Sequence, residues 1–192
     1  MAAVFEALIA AGWKVARKAA GDWATGKAGA RGWTIEGTFE RGDCRADGLC
    51  KIIIPADNPL RLVSPRREWA MVCPLAEFES DGGSIPRALK MHNAALDLRP
   101  WAYPAAYILH DALYQVARAP LFDLVAGGWG WADIPRAVAD AAAAVSLAAS
   151  GATRATVAAV YGSLAVFGGI AWDAWRRQGL PAGAVLFDFA TA

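Results

Sequence analysis

Prolines and alanines are segregated along this chain, and that segregation does most to limit its fold. Pro55, Pro59, Pro65 and Pro74 interrupt the β-rich runs between Trp33 and Phe78, whereas Arg136 to Ala149 and Thr153 to Arg177 contain no proline and are rich in alanine. Proline cannot donate to a β-ladder, which confines strands to short or edge positions. Alanine is the strongest helix former and lets helices approach closely. The chain is therefore expected to be α+β, with a small antiparallel β-sheet followed by an Ala-rich three-helix bundle.

Within the first half, strands are expected at Trp33 to Phe39, Leu49 to Ile54, Leu60 to Val63 and Glu68 to Leu75, with Asp47-Gly48 turning between the first two. Helices are expected at Pro104 to about Arg118, Pro135 to Ala149 and Thr153 to about Arg177, the second closed by Gly151. Pro120 to Asp133, rich in Gly and Trp, reads as a long loop of the kind that docks on partners.

Residues 2 to 20 place Phe5, Leu8, Ile9, Val15, Ala16 and Ala19 at helical spacing, with Lys14, Arg17 and Lys18 on the other side. This predicts an amphipathic helix, packed on its own domain or on a neighbouring subunit in preference to a membrane surface. Gly21 is expected to end it. The expected organisation is helix plus Gly-rich linker over 1–32, one domain over 33–177 and a tail over 178–192.

At 192 residues the chain can bury one sizeable core. A net charge of +1, spread along the chain, leaves no footprint for nucleic acid. The hydrophobic fraction of 56% and the nine Trp point to an Ala-rich core or to surfaces covered by partners. Ala155 to Trp172 has no charged residue and is long enough to cross a bilayer. Its Gly162, Gly168, Gly169 and alanines favour instead the central helix of a bundle.

Cys44, Cys50 and Cys73 show no zinc-ligand spacing. Their odd number points to a reducing compartment, with a Cys44 to Cys50 hairpin bridge as the alternative. Lys14, Arg17 and Lys18 follow the first apolar residues where a signal peptide would put its charge first, so no signal peptide is expected. No nucleophile elbow, phosphate loop or dinucleotide fingerprint is present, and no cysteine has an activating setting.

The chemistry-bearing residues concentrate on the helix from Pro104. Tyr107, His110, Asp111 and Tyr114 stand at i, i+3, i+4 and i+7, so they share a stripe. His110 is one of only two histidines. The stripe could seat proton transfer or a metal, or it could be a buried pair that ties helices together. Asp140, followed by Ala141 to Ala144, could approach His110 and orient it as base, while Asp111 holds a divalent cation such as calcium with Asp81 and the carbonyls of Gly82 and Gly83. Asp81-Gly82-Gly83 reads equally well as a turn before a helix. Arg136, at i−4 from Asp140, offers an ion pair as the alternative for both.

In order, the chain carries Glu77-Phe78-Glu79-Ser80-Asp81-Gly82-Gly83-Ser84-Ile85-Pro86-Arg87, His110-Asp111-Ala112-Leu113-Tyr114, Arg136 through Asp140, and Tyr161 through Trp172. Over residues 34–176 this resembles a domain family of unknown function common in tailed phages and prophages. Glu77-Phe78 replaces that family's usual Gly-Phe. The resemblance implies a phage origin. The His-Asp-x-x-Tyr pattern with a later helical Asp also resembles secreted calcium-dependent phospholipases, which implies His110 as base, Asp111 on calcium, and Asp140 orienting His110 with support from Tyr114. The cysteine-rich calcium loop and disulfide scaffold of those enzymes are absent.

Two expectations follow. The first is a structural or accessory component of the phage particle, in the tail or tail tip, made in the host cytoplasm and docked on other virion proteins through its N-terminal helix and Trp-rich loop. The second is a metal-dependent hydrolase of phospholipid or cell envelope.

Overall fold

The computed structural model describes residues 1–21, 30–83 and 101–187. The Ser84-Ile85-Pro86-Arg87 turn expected from sequence lies outside the described residues. Helix α1 (Ala2–Gly21) leads into strands β1 (Thr34–Glu36), β2 (Glu40–Cys44), β3 (Cys50–Ile53), β4 (Arg61–Val63), β5 (Trp69–Val72) and β6 (Leu75–Ser80). Helix α2 (Pro104–Val116), strands β7 (Arg118–Asp123) and β8 (Trp129–Asp133), helices α3 (Arg136–Ala149) and α4 (Arg154–Gln178), and strand β9 (Val185–Leu186) complete the order. The protein is α+β, with four described helices and two antiparallel sheets, ordered β1-β4-β5-β7-β8 and β2-β3-β6-β9.

Two sheets replace the single one expected, and the reason lies at two corners. Gly37 has φ +88, and a Cβ there would fall 2.2 Å from the Pro59 carbonyl oxygen. Only glycine passes so close at that dihedral, and the chain leaves the first sheet at β1 to enter the second at β2. Cys73-Pro74 likewise splits the predicted strand Glu68 to Leu75 into β5 and β6, which belong to different sheets. Pro74 has no N–H to continue a ladder.

The segment expected as a long loop is a hairpin instead. β7 pairs with β8 from Arg118↔Asp133 to Phe122↔Trp129, and β5 pairs with β7 at Met71↔Leu121 through Trp69↔Asp123. Pro120 stands just before the residues that face β5, so its missing N–H is not needed there. Within the stretch expected as a tail, Val185 to Phe187 belong to the fold, since β9 pairs with β6 and Phe187 is buried in the core.

Cys44 and Cys50 face each other across the β2–β3 hairpin and form a disulfide. This corrects the expectation of reduced cysteines and takes up the alternative left open. Cys73 is a buried free thiol, and desolvation pushes its pKa up to about 12, offset slightly by a backbone hydrogen bond at Leu75. It is an inert core residue.

Helix α3 is the centre of the helical layer. Every residue from Val138 to Ala148 is buried, and α1, α2 and α4 all pack on it. A helix apolar on all sides belongs inside. The expectation that Ala155 to Trp172 forms the central helix is therefore corrected: only 28% of the apolar window of α4 is buried. Helix α1 is no free arm, because Leu8, Ala16 and Ala19 enter the core. At Gly12 an added Cβ would lie 2.6 Å from both Cα and Cβ of Ala141.

That contact fixes the sign of one substitution. Gly12→Ala gains about 1 kcal/mol of helix propensity, but overpacking against a backbone costs about 1–3 kcal/mol or more. Denaturant unfolding of Gly12→Ala is expected to show a net loss of stability, where an exposed helical glycine would show a gain.

Candidate functional site

Helix α2 starts at Pro104, whose fixed φ and missing N–H suit a first turn, and stops at Ala117, a left-handed residue whose N–H bonds the Leu113 carbonyl. Its inner face, including Ile108, Leu109 and Leu113, is buried in the core. The opposite flank carries the predicted stripe. Tyr107, His110, Asp111 and Tyr114 all line one cleft of about 500 Å³, together with Asp81 and Gly83. Helix α4 supplies an apolar wall through Leu164, Phe167 and Trp175, and Pro181 to Ala184 close one side.

On the cleft floor, His110 Nδ1 lies 3.5 Å from Asp111 Oδ1, the two side chains being 11% and 20% exposed. Ser80 Oγ donates to Asp111 Oδ2 at 2.5 Å and accepts from the Gly82 N–H at 3.0 Å. Gln115 Nε2 donates to the Glu79 carbonyl at 2.9 Å. The end of β6 is thus tied to α2 at Asp111 and one turn on at Gln115, and Asp111 is held next to the ring. His110 Nε2 is buried and has no hydrogen-bond partner among the described residues. A buried polar atom left unpaired costs about 1–3 kcal/mol, which a bound water or ligand would recover.

Asp140 is not part of this dyad. It accepts a 2.5 Å hydrogen bond from Tyr114 Oη and sits 3.9 Å from Arg136 Nη1, while no bond joins it to His110. Arg136 Nη1 also donates to the Leu164 carbonyl at 3.2 Å. The orienting role expected for Asp140 is corrected: its carboxylate ties α2, α3 and α4 together. The support expected from Tyr114 is present. Burial first, and then the bond to Asp140, hold the Tyr114 phenol well above its ordinary pKa, so it remains a donor at neutral pH. Tyr114 also meets the His110 ring at 4.2 Å and the edge of Trp172 at 5.1 Å. A Cβ at Gly168 would come 2.6 Å from its hydroxyl, so α4 passes over Tyr114 at a glycine.

The two glycines expected to offer carbonyls to a cation serve packing. Gly82 has φ +69 with the Trp101 indole where a Cβ would be, and Gly83 has φ +118 against the Tyr107 ring. The Gly82 carbonyl accepts from the Trp101 N–H, and Asp81 Oδ1 accepts from the Gly83 N–H. Among the described residues, no three His, Cys, Asp or Glu side chains converge on a point that could hold a metal. As arranged, the Gly82 carbonyl, Asp81 Oδ1 and Asp111 Oδ2 each accept a hydrogen bond within the protein.

No protein family, curated protein or solved structure matches this chain. The site must be read from its residues.

Tyr114→Phe separates the structural pair from the dyad. It leaves Asp140 buried with only the distant Arg136, which should cost about 1–3 kcal/mol of stability. Urea unfolding of Tyr114→Phe beside wild type measures this directly, and an unchanged midpoint would deny Tyr114 its tying role.

Proposed function

We propose that this protein binds an amphiphilic ester in the cleft and hydrolyses it with His110 as general base, as an envelope-directed accessory activity of a phage particle. The observation that carries the reading is that His110, which lines an apolar cleft, has a buried Nε2 with no hydrogen-bond partner among the described residues, one that a ligand entering the cleft would have to uncover. Ligand sites are mostly apolar with a few placed polar groups, in clefts of about 300–1,000 Å³. A histidine serving only to tie helices together would have both ring nitrogens paired.

The chemistry uses the tautomer with the proton on Nδ1, facing Asp111, which leaves the Nε2 lone pair free. A water between Nε2 and the ester carbonyl gives up its proton to Nε2 as its oxygen bonds the carbonyl carbon. The imidazolium formed is stabilised by the Asp111 carboxylate, which Ser80 holds in place. The ring then returns the proton to the leaving alkoxide as the carbon–oxygen bond breaks. No step is routed through a metal. The phage setting rests on the motif order alone.

The test is turnover of a soluble p-nitrophenyl octanoate by the full chain, with and without calcium. General-base loss in His110→Gln should lower kcat/KM by about 10²-fold or more with the thermal midpoint preserved. Equal activity in the variant, or none in wild type under either condition, would contradict the hydrolytic reading. Dependence on calcium would restore the metal to the scheme. The phage setting is checked separately, by mass spectrometry of purified particles, where peptides of this chain are expected.

A further inference from the structure

Helix α4 has a second face. Val166 is 70% exposed, Phe167 51% and Ile170 74%, and at i, i+1 and i+4 they form one ridge. Ala165 and Ala171 beside them are also exposed, and nothing lies within 4 Å of where a Cβ on Gly162 would be. From Ala155 to Trp172 there is no charged side chain. The ridge therefore offers aliphatic and aromatic surface with hardly a side-chain hydrogen-bonding group.

Three features favour lipid as the occupant. Phe167 belongs to both the ridge and the cleft wall, so the apolar surface is continuous from outside the protein to His110. Past the ridge, α4 exposes Arg177, a residue type that sits at headgroup level, while Trp172, Trp175 and Arg176 turn inward on Tyr114 and the cleft. Helix α1, packed alongside α4, exposes Trp13, Lys14, Arg17 and Lys18, which suits an anionic surface. Asp173, exposed one turn beyond Ile170, ends the ridge and limits its depth. A stable protein interface needs about 800 Å² per partner and oriented polar contacts, and three side chains on one helix fall short of both.

We infer that the Val166–Phe167–Ile170 ridge is a surface that docks on an anionic lipid layer and brings the cleft mouth to the headgroups. That the cleft then draws its ester from this layer rests on the hydrolytic reading of His110; the docking itself does not.

The test is co-sedimentation of the full chain with vesicles of phosphatidylcholine and phosphatidylglycerol, using wild type, Val166→Ser/Ile170→Ser and His110→Gln. Wild type and His110→Gln should pellet equally, and the double variant should bind at least tenfold more weakly, at an unchanged thermal midpoint. Wild type left in the supernatant at lipid excess, or a double variant that pellets like wild type, would overturn the docking surface. So would bound protein that resists alkaline carbonate extraction, since that means insertion, or a double variant altered only in oligomeric state, since that makes the occupant a second copy. Vesicle binding without ester turnover would leave the docking surface standing and remove only the chemistry.

Discussion

The close approach of helices around α3 is the constraint on which the rest of the protein depends. With small side chains from Ala141 to Ala144, α3 can be buried on every side, and α1 can meet it at Gly12. A helix so enclosed also buries Asp140. That carboxylate needs a partner, and Tyr114 supplies it from α2. The bond sets the rotation of α2 about its axis, and so turns His110 and Asp111 towards the cleft. Helix α4 can then cross over Tyr114 only at Gly168. Its side chains on either side of that crossing become the apolar wall of the cleft, and its far face is left to solvent.

The division of labour between two carboxylates follows from this arrangement. Asp140, 8% exposed at its side chain, is committed to a tyrosine and an arginine. Asp111 stands at the edge of the same core, fixed by Ser80, with one oxygen left towards His110. The first carboxylate builds the site and the second is available to stabilise a charge on the ring. His110 Nε2 is a cost in the arrangement without a structural return among the described residues, as are Gln115 Oε1 on the same helix and Ser146 Oγ on α3.

Much of this was legible in the sequence. Periodicity located all four described helices to within a residue or two, because proline and glycine mark their ends. The i, i+3, i+4, i+7 stripe brought Tyr107, His110, Asp111 and Tyr114 to one cleft as expected. What escaped was decided by tertiary contacts. Gly37 and Cys73-Pro74 read as interruptions of strands, and nothing local says that the chain changes sheets there. The β7–β8 hairpin was hidden by Pro120, whose position beyond the β5 pairing makes it harmless. The distance that gave Asp140 to Tyr114 depends on helix packing, although Arg136 at i−4 had marked a structural alternative. Gln115 carried no signal of its own, and Ser80 carried only its place in the Glu77 to Arg87 motif. For α4, lack of charge was read as burial, when a helix packed on one side shows the same letters.

The central claim is that His110 Nε2 is kept unpaired for a ligand that enters along the apolar wall of α4. Its most direct test is a high-resolution crystal structure with an alkyl phosphonate, a stable mimic of the ester's tetrahedral intermediate. The account predicts a phosphonate oxygen within hydrogen-bonding distance of Nε2 and the alkyl chain lying against Phe167 and Leu164. An empty cleft at saturating ligand, with Nε2 bonded to a protein group, would contradict it.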